Sequence, residues 1–213
     1  MQYTDDQDNE TVYTFYSQQG EDIFVFRNFL NCPVTDGIFV EVGAFDGVQG
    51  SNTKFFEDVL GYTGVLIEPI SECIQPLIHN RKHSKIYNYA IHPTDSGVTF
   101  VGNSPTAGIL CEMSEHHKQQ YYKENMHISD VPATTLSSIL THAEISYIDF
   151  LSIDVEGAEL LVLTSIDWAS TEIYVICIEL DGTNPEKDKA CRTLLTEKGF
   201  TFQPYILEIT IYG

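Results

Sequence analysis

Apolar and polar positions follow one another along this chain in blocks. After an Asp36-Gly37 turn, Ile38-Phe39-Val40-Glu41-Val42 is nearly all apolar, the pattern of a strand buried on both faces of a parallel sheet. Before it, the stretch from Ser17 to Leu30 predicts a capped helix: Ser17 or Gln18 precedes it, Glu21 and Asp22 fill its first turn, and Ile23, Phe26, Phe29 and Leu30 recur at helical spacing. The alternation continues with a glycine-rich turn from Gly43 to Gly50, a helix near Asn52–Leu60 and a second strand from Gly64 to Glu68. Ser71 is expected to cap a helix carrying Ile74, Leu77 and Ile78, and Ile86–Ile91 a third strand. Val98–Val101 looks like a hairpin strand between Gly97 and Gly102. Thr135–Leu140 predicts a helix, Asp149–Asp154 a fourth main strand, Ala158–Ile166 a helix and Tyr174–Leu180 a fifth strand. Pro185–Lys198 predicts a helix closed by Gly199, and Phe200–Tyr212 one or two final strands. Such strand-helix alternation predicts a doubly wound α/β sheet.

Two segments stand outside the alternation. Residues 1–16 are acidic and polar and read as a poorly ordered lead-in or linker to a single domain over 17–213. Residues 103–130 are long and polar and carry Tyr121, Tyr122 and the adjacent His116 and His117, which suits a substrate loop or lid.

Composition narrows the function. At 213 residues with 43% apolar positions the chain can build its own core without a metal or disulfide staple. Eleven Lys and Arg against 31 Asp and Glu leave a net charge of −20, which repels nucleic-acid backbones and anionic membrane surfaces. No apolar run approaches the ~20 residues of a membrane span, and the acidic start is unlike a signal peptide. The five cysteines (Cys32, Cys73, Cys111, Cys177 and Cys191) are scattered and never spaced as Cys-x-x-Cys, so buried free thiols in a reducing cytoplasm are expected.

Candidate chemistry lies at the strand ends, where open α/β sheets bind ligands. Gly43 and Gly47 let the first turn bend sharply and approach a ligand closely. The turn lacks the Gly-x-Gly-x-x-Gly of a nicotinamide site, and Glu41 and Asp46 place two carboxylates beside it. A ligand bearing positive charge fits better than a pyrophosphate, which favours S-adenosylmethionine over NAD. Glu68, at the end of the second strand, can accept hydrogen bonds from two ribose hydroxyls. The densest signal is Asp154-Val155-Glu156-Gly157-Ala158-Glu159, three carboxylates in six positions, with Glu179 and Asp181 at the next strand end. Two facing carboxylates repel by about 4 kcal/mol at about 4 Å in an effective dielectric of about 20, so a proton or a hard divalent cation is the natural relief.

Several motifs together resemble one family. Ser17-Gln18-x-Gly20-Glu21-Asp22, Phe39-Val40-Glu41-Val42-Gly43-Ala44-Phe45-Asp46-Gly47 and Gly50-Ser51-Asn52-Thr53 are similar to the FkbM methyltransferases. So are Gly64 through Pro69, Asn88-Tyr89-Ala90-Ile91 and Ile153 through Glu159. The resemblance implies the class I methyltransferase fold (Rossmann-like), a doubly wound, mostly parallel seven-stranded sheet with an antiparallel last strand. It also implies S-adenosylmethionine as donor and a hydroxyl acceptor, commonly on a sugar such as a deoxyhexose, and frequent fusion to glycosyltransferase domains of glycan biosynthesis. By the same resemblance Glu41, Gly43 and Ala44 contact the methionine part of the donor, and Gln18 with Ser51 and Asn52 closes around it. Glu68, with Pro69 after it, holds the ribose, Ala90 lies near the adenine, and Asp154 faces the transferring methyl. The chain departs from the family at Ser137, where an acid is usual, and at Ser152, where a lysine is usual.

The expected mechanism is an in-line displacement on a weakly nucleophilic hydroxyl. Mg²⁺ or Mn²⁺ held by Asp154, Glu179 and Asp181 would lower the hydroxyl's proton affinity, with Glu156 as general base. His92 and the His116–His117 pair are the runner-up bases, and Tyr121, Tyr122 and Trp168 are the aromatic faces available to a sugar. The competing readings are a methyltransferase for a small polyketide or lipid-like acceptor and a non-catalytic donor-binding scaffold in glycan assembly.

Overall fold

Ile38–Val42 forms the central strand because its side chains have an apolar layer to enter on either side. Phe39 points into one cluster with Leu66, Phe55, Phe56, Leu77 and Phe150. Val40 and Val42 point into the other with Val65, Ile67, Leu151, Val162 and Leu195. Two-sided burial of this kind requires helices on both faces of the sheet.

The computed structural model describes residues 2–4, 12–30, 36–122, 126–204 and 208–212. In chain order, β1 (Gln2–Thr4) and β2 (Val12–Thr14) precede α1 (Glu21–Asn28), β3 (Ile38–Val42), α2 (Lys54–Leu60), β4 (Thr63–Ile67), α3 (Ser71–Asn80) and β5 (Ser84–Tyr87). Then come β6 (Ala90–Ile91), β7 (Val98–Val101), β8 (Gly108–Ile109), α4 (Glu115–Tyr121), β9 (Ile128–Val131) and β10 (Ala133–Thr134). The last part is α5 (Leu136–Ala143), β11 (Tyr147–Ile153), α6 (Glu159–Thr164), β12 (Glu172–Ile178), α7 (Pro185–Glu197), β13 (Phe200–Pro204) and β14 (Glu208–Tyr212).

The main sheet has seven strands in the order β13-β14-β12-β11-β3-β4-β5. Its neighbours pair in parallel except β14, which runs antiparallel to both β12 and β13. The order reverses between β3 and β11, and a crevice opens there beyond their carboxyl ends.

Four local differences from the sequence reading have physical causes. Residues 13–16 are packed: Phe15 is buried and stacks on Phe55 at 4.4 Å, and Tyr13 meets Phe26 and Phe55 edge-on. Ser71 opens α3 without capping it; Ile70 is the N-cap, and the Ser71 hydroxyl bonds Asn88 Oδ1 instead. The expected third strand splits at Asn88, whose Nδ2 donates to the carbonyls of Glu68 and Pro69 and turns the chain off the sheet edge, so that β6 pairs with β10. The 103–130 segment holds β8 and α4, and β7, β8 and β9 form a small antiparallel sheet. Cys32 lies outside the described residues; Cys73, Cys177 and Cys191 are buried free thiols.

Arg81, only 1% exposed, joins the pieces around the crevice. Its Nε donates to Glu57 Oε2 at 2.8 Å, its Nη1 to Glu41 Oε2 at 3.4 Å and Ser51 Oγ at 3.1 Å, and its Nη2 to Thr53 Oγ1 at 2.9 Å. Burial alone would raise Glu57, but the Arg81 charge and hydrogen bonds from Ser84 and the His83 N–H hold its carboxyl below the usual range. Removing the guanidinium strands two buried carboxylates. Arg81→Met is therefore expected to cost about 3–5 kcal/mol in urea unfolding; a loss under about 1 kcal/mol would show that the cluster adds little.

Candidate active site

The crevice at the β3–β11 reversal is a cavity of about 340 Å³ lined by the ends of β3, β4, β11 and β12 and by the insertion that carries α4. Gln18, Glu41, Gly43, Ala44, Ser51 and Asn52 all border it, as do Glu68, Pro69, Ala90 and Asp154. Every residue expected to touch the donor thus lies on one cavity.

Their roles differ. Gly43 sits at φ 91, and a Cβ on it would come within 1.9 Å of the Asp154 carbonyl oxygen, so only glycine lets β3 and β11 end this close. Glu41 borders the cavity, but its carboxylate is occupied by the Ser51 and Thr53 hydroxyls, the Asn52 N–H and Arg81. It holds the 51–53 turn in place. Asp46 turns back on its own loop to accept from the Val48 and Gln49 N–H groups and is not part of the lining. The positive charge expected to be matched by Glu41 and Asp46 must therefore be met elsewhere.

Asn52 offers part of the answer. Its Nδ2 donates to Ser152 Oγ at 2.9 Å, while its Oδ1 is buried with no partner among the described residues. An orphan acceptor on the cavity wall fits a donor of hydrogen bonds such as an ammonium group. Glu68 accepts the Phe45 N–H on one oxygen and the Ile70 N–H on the other, at 2.8 and 2.7 Å, which aims the carboxylate and leaves lone pairs for ribose hydroxyls. Burial pushes it up to about 7 despite those two bonds.

At the far end, Asp154, Glu156 and Glu179 each place a carboxylate oxygen within 4.8 Å of the others. Asp154 is open to the cavity but lies at its floor, with protein on the other sides. Burial and then the Glu179 carboxylate push it well above the usual range. Burial raises Glu179 too, while its hydrogen bond with Asp154 works the other way. Glu156, in the left-handed region at φ 56, is pushed up to about 8 by burial, then by Glu179, Glu159 and Asp181. Asp181 is not part of the trio: both its oxygens accept from Thr183.

Lys187 and Glu159 were missed by the sequence reading as a pair. Lys187 reaches from α7 to Glu159 Oε2 and places a buried cation behind the acids. The helix from Pro185 was expected, but not the direction of this side chain. Of the histidines, His116 and His117 border the cavity, and His117 Nδ1 lies 3.3 Å from Glu156 Oε2. His92 is occupied by Thr94 outside the lining. Tyr121 is on the wall, whereas Tyr122 bonds the Thr106 carbonyl. Trp168 is away from the cavity, donating to the Leu163 carbonyl and packing edge-on to Phe200. Ser152 borders the cavity; Ser137 bonds the Ser165 carbonyl elsewhere.

A profile of the methyltransferase FkbM domain matches residues 41–202, most of the chain and nearly all of this site. The chain belongs to the FkbM methyltransferase family. It is a methyltransferase with S-adenosylmethionine as its methyl donor. No curated protein sequence matches it. Among solved structures it is similar to a precorrin-6y C5,15-methyltransferase from Geobacter metallireducens, at 8% identity, 84% of this chain, 82% of that one and a TM-score of 0.46. It is also similar to a fibrillarin pre-rRNA processing protein from Methanococcus jannaschii, at 14% identity, 84% and 68% coverage and a TM-score of 0.42. The FkbM domain's carboxylate-rich floor sets a pH dependence. Glu68 and Glu156 bind protons more tightly folded than at their ordinary 4.5, so the stability they allow is full below that value and lost as pH rises through about 7 and about 8. The melting temperature of the ligand-free protein is expected to fall from about pH 5 to about pH 8.5, and Glu68→Gln to flatten the lower part of that fall. Identical profiles for the two proteins would show that Glu68 titrates normally.

Proposed function

We propose that this FkbM domain methylates a hydroxyl of a sugar, with Glu156 as the general base. The observation that carries the reading is the position of Glu156 between the donor-site floor at Asp154 and a wall of hydroxyl-bonding and aromatic side chains. Ser104, Thr106, Gln120, Tyr121 and Thr183 border that end of the cavity. Polar side chains beside an aromatic ring match a ring of hydroxyls with an apolar face. On this reading the 103–130 segment is the acceptor-binding wall.

The donor supplies an electrophilic methyl group on a positively charged sulfur. The chain's own residues do the rest. Asn52 and Glu68 bind and orient, by an orphan amide oxygen and a buried carboxylate. Gly43 lets the backbone approach, and Pro69, Ile70 and Ala90 give an apolar wall at the other end. Asp154 and Glu179 keep negative potential at the floor, which favours a cationic donor over the neutral product. Glu156 takes the hydroxyl proton as the new carbon–oxygen bond forms and the methyl–sulfur bond breaks, its electron pair staying on the now neutral sulfur.

Where Mg²⁺ or Mn²⁺ binds, Asp154 and Glu179 are the residues to hold it, with Glu156 beside them as the base, and it would supply charge that lowers the acceptor's proton affinity. Asp181, turned to Thr183, is then a neighbour of the ion. A cytoplasmic location belongs to the same reading, supported by the three buried free thiols.

Three measurements test this. Glu156→Gln is expected to lower kcat by about 10²–10⁴-fold while leaving affinity for S-adenosylhomocysteine within about twofold; unchanged turnover would remove Glu156 as the base. For the wild type, kcat/KM toward a methyl glycoside should climb to a plateau above about pH 8, because the base must be ionised. Chelation should lower the rate if an ion assists, and a rate indifferent to EDTA would remove the metal from the mechanism.

A further inference from the structure

The insertion that walls the acceptor end also grips the base. Glu156 stands in the left-handed region, which costs a residue with a side chain free energy unless its surroundings impose it. Three contacts impose it, all from the insertion. A Cβ on Gly108 would lie 3.2 Å from Glu156 Cβ, and one on Gly157 would lie 2.7 Å from the Glu112 carbonyl oxygen. Both glycines therefore mark backbone pressed against the Glu156 turn. The third contact is polar: His117 Nδ1 is 3.3 Å from Glu156 Oε2.

The orientation of the His117 ring follows from its other nitrogen. Nε2 is 2.9 Å from the Thr106 carbonyl oxygen, which can only accept, so Nε2 carries a hydrogen. That carbonyl also accepts from the Tyr122 hydroxyl at 2.8 Å, and the His117 N–H donates to Ser114 Oγ, the cap of α4. Tyr121 packs against the imidazole at a centroid distance of 4.7 Å. The ring is thus held at Nε2 and on the Tyr121 side, with Nδ1 3.3 Å from Glu156 Oε2, and His117 itself is only 7% exposed. For an ionised Glu156 to be held along that line Nδ1 must carry a hydrogen too and donate to Oε2, which leaves the other carboxylate oxygen for the acceptor.

We infer that His117 is the positioning residue of this site: through it, the α4 insertion fixes the Glu156 carboxyl in the orientation that receives the acceptor's proton. The inference rests on the reading of Glu156 as the base. It makes the insertion part of the catalytic step as well as the acceptor wall. A loosened base still lets donor and acceptor bind but reaches the transition state less often, so the loss falls on kcat.

The test compares His117→Phe, which keeps a ring without the nitrogens, with His117→Asn, whose side-chain amide reaches the Nδ1 position. Methyl transfer from labelled S-adenosylmethionine is followed to a pool of methyl hexosides and methyl deoxyhexosides. The expected result is at least about tenfold lower kcat in His117→Phe, with acceptor KM and S-adenosylhomocysteine affinity within about twofold, and recovery of most of that loss in His117→Asn. Equal kcat in His117→Phe, or no recovery in His117→Asn, overturns the inference. If the wild type transfers to no member of the pool, the sugar reading fails by itself, and proton–nitrogen NMR of the wild-type and Glu156→Ala proteins decides the inference. An Nε2-protonated His117 whose Nδ1 resonance moves in Glu156→Ala supports it. A resonance that stays in place, or an unprotonated Nε2, overturns it.

Discussion

Around the buried Arg81 guanidinium, four separate stretches of chain become one wall of the donor site. Glu41 is on β3, Ser51 and Thr53 on the turn after it, Glu57 on α2, and Arg81 itself ends α3. None of these groups is affordable alone in the interior, because an unpaired buried charge costs several kcal/mol. Together they satisfy one another and fix the 51–53 turn. Asn52, on the cavity wall, is left with a buried amide oxygen that has no partner among the described residues. The ion cluster therefore builds this wall of the donor site from behind, with Glu41 and Ser51 reaching the cavity.

The opposite end of the cavity is organised by repulsion. Asp154, Glu156 and Glu179 crowd together, and Lys187 with Glu159 lies behind them. Burial and then the neighbouring carboxylates raise all three, so the floor is only partly ionised. The charge that stays on it favours a cation over a neutral product, the direction that transfer from a sulfonium needs. The two ends thus divide the work: a compensated charge network shapes the donor wall, and an uncompensated one drives the chemistry.

The main sheet was legible from sequence because its strands are compact apolar runs bounded by Gly, Asp and Asn, and a buried parallel strand leaves no other pattern. The cavity-facing positions were legible where motif and strand end coincide, at Gly43, Glu68 and Asp154. What stayed hidden depends on side chains that meet across long separations. Arg81 reads as one more surface cation at the end of a helix, and its partners lie 24 to 40 residues away. Glu41 and Asp46 look alike in a string, but one is locked by Arg81 and the other caps its own loop. Trp168 invited a sugar-binding role by its type, and only packing against Phe200 shows its actual place.

Calorimetric titration with S-adenosylhomocysteine tests, without knowledge of the acceptor, whether the crevice at the β3–β11 reversal holds a sulfonium donor. Saturable one-to-one binding is expected for the wild type and is expected to disappear in Gly43→Val, whose side chain would be forced into the Asp154 carbonyl, while NAD gives no heat. No binding of S-adenosylhomocysteine to the folded wild type, or equal binding in Gly43→Val, would contradict it.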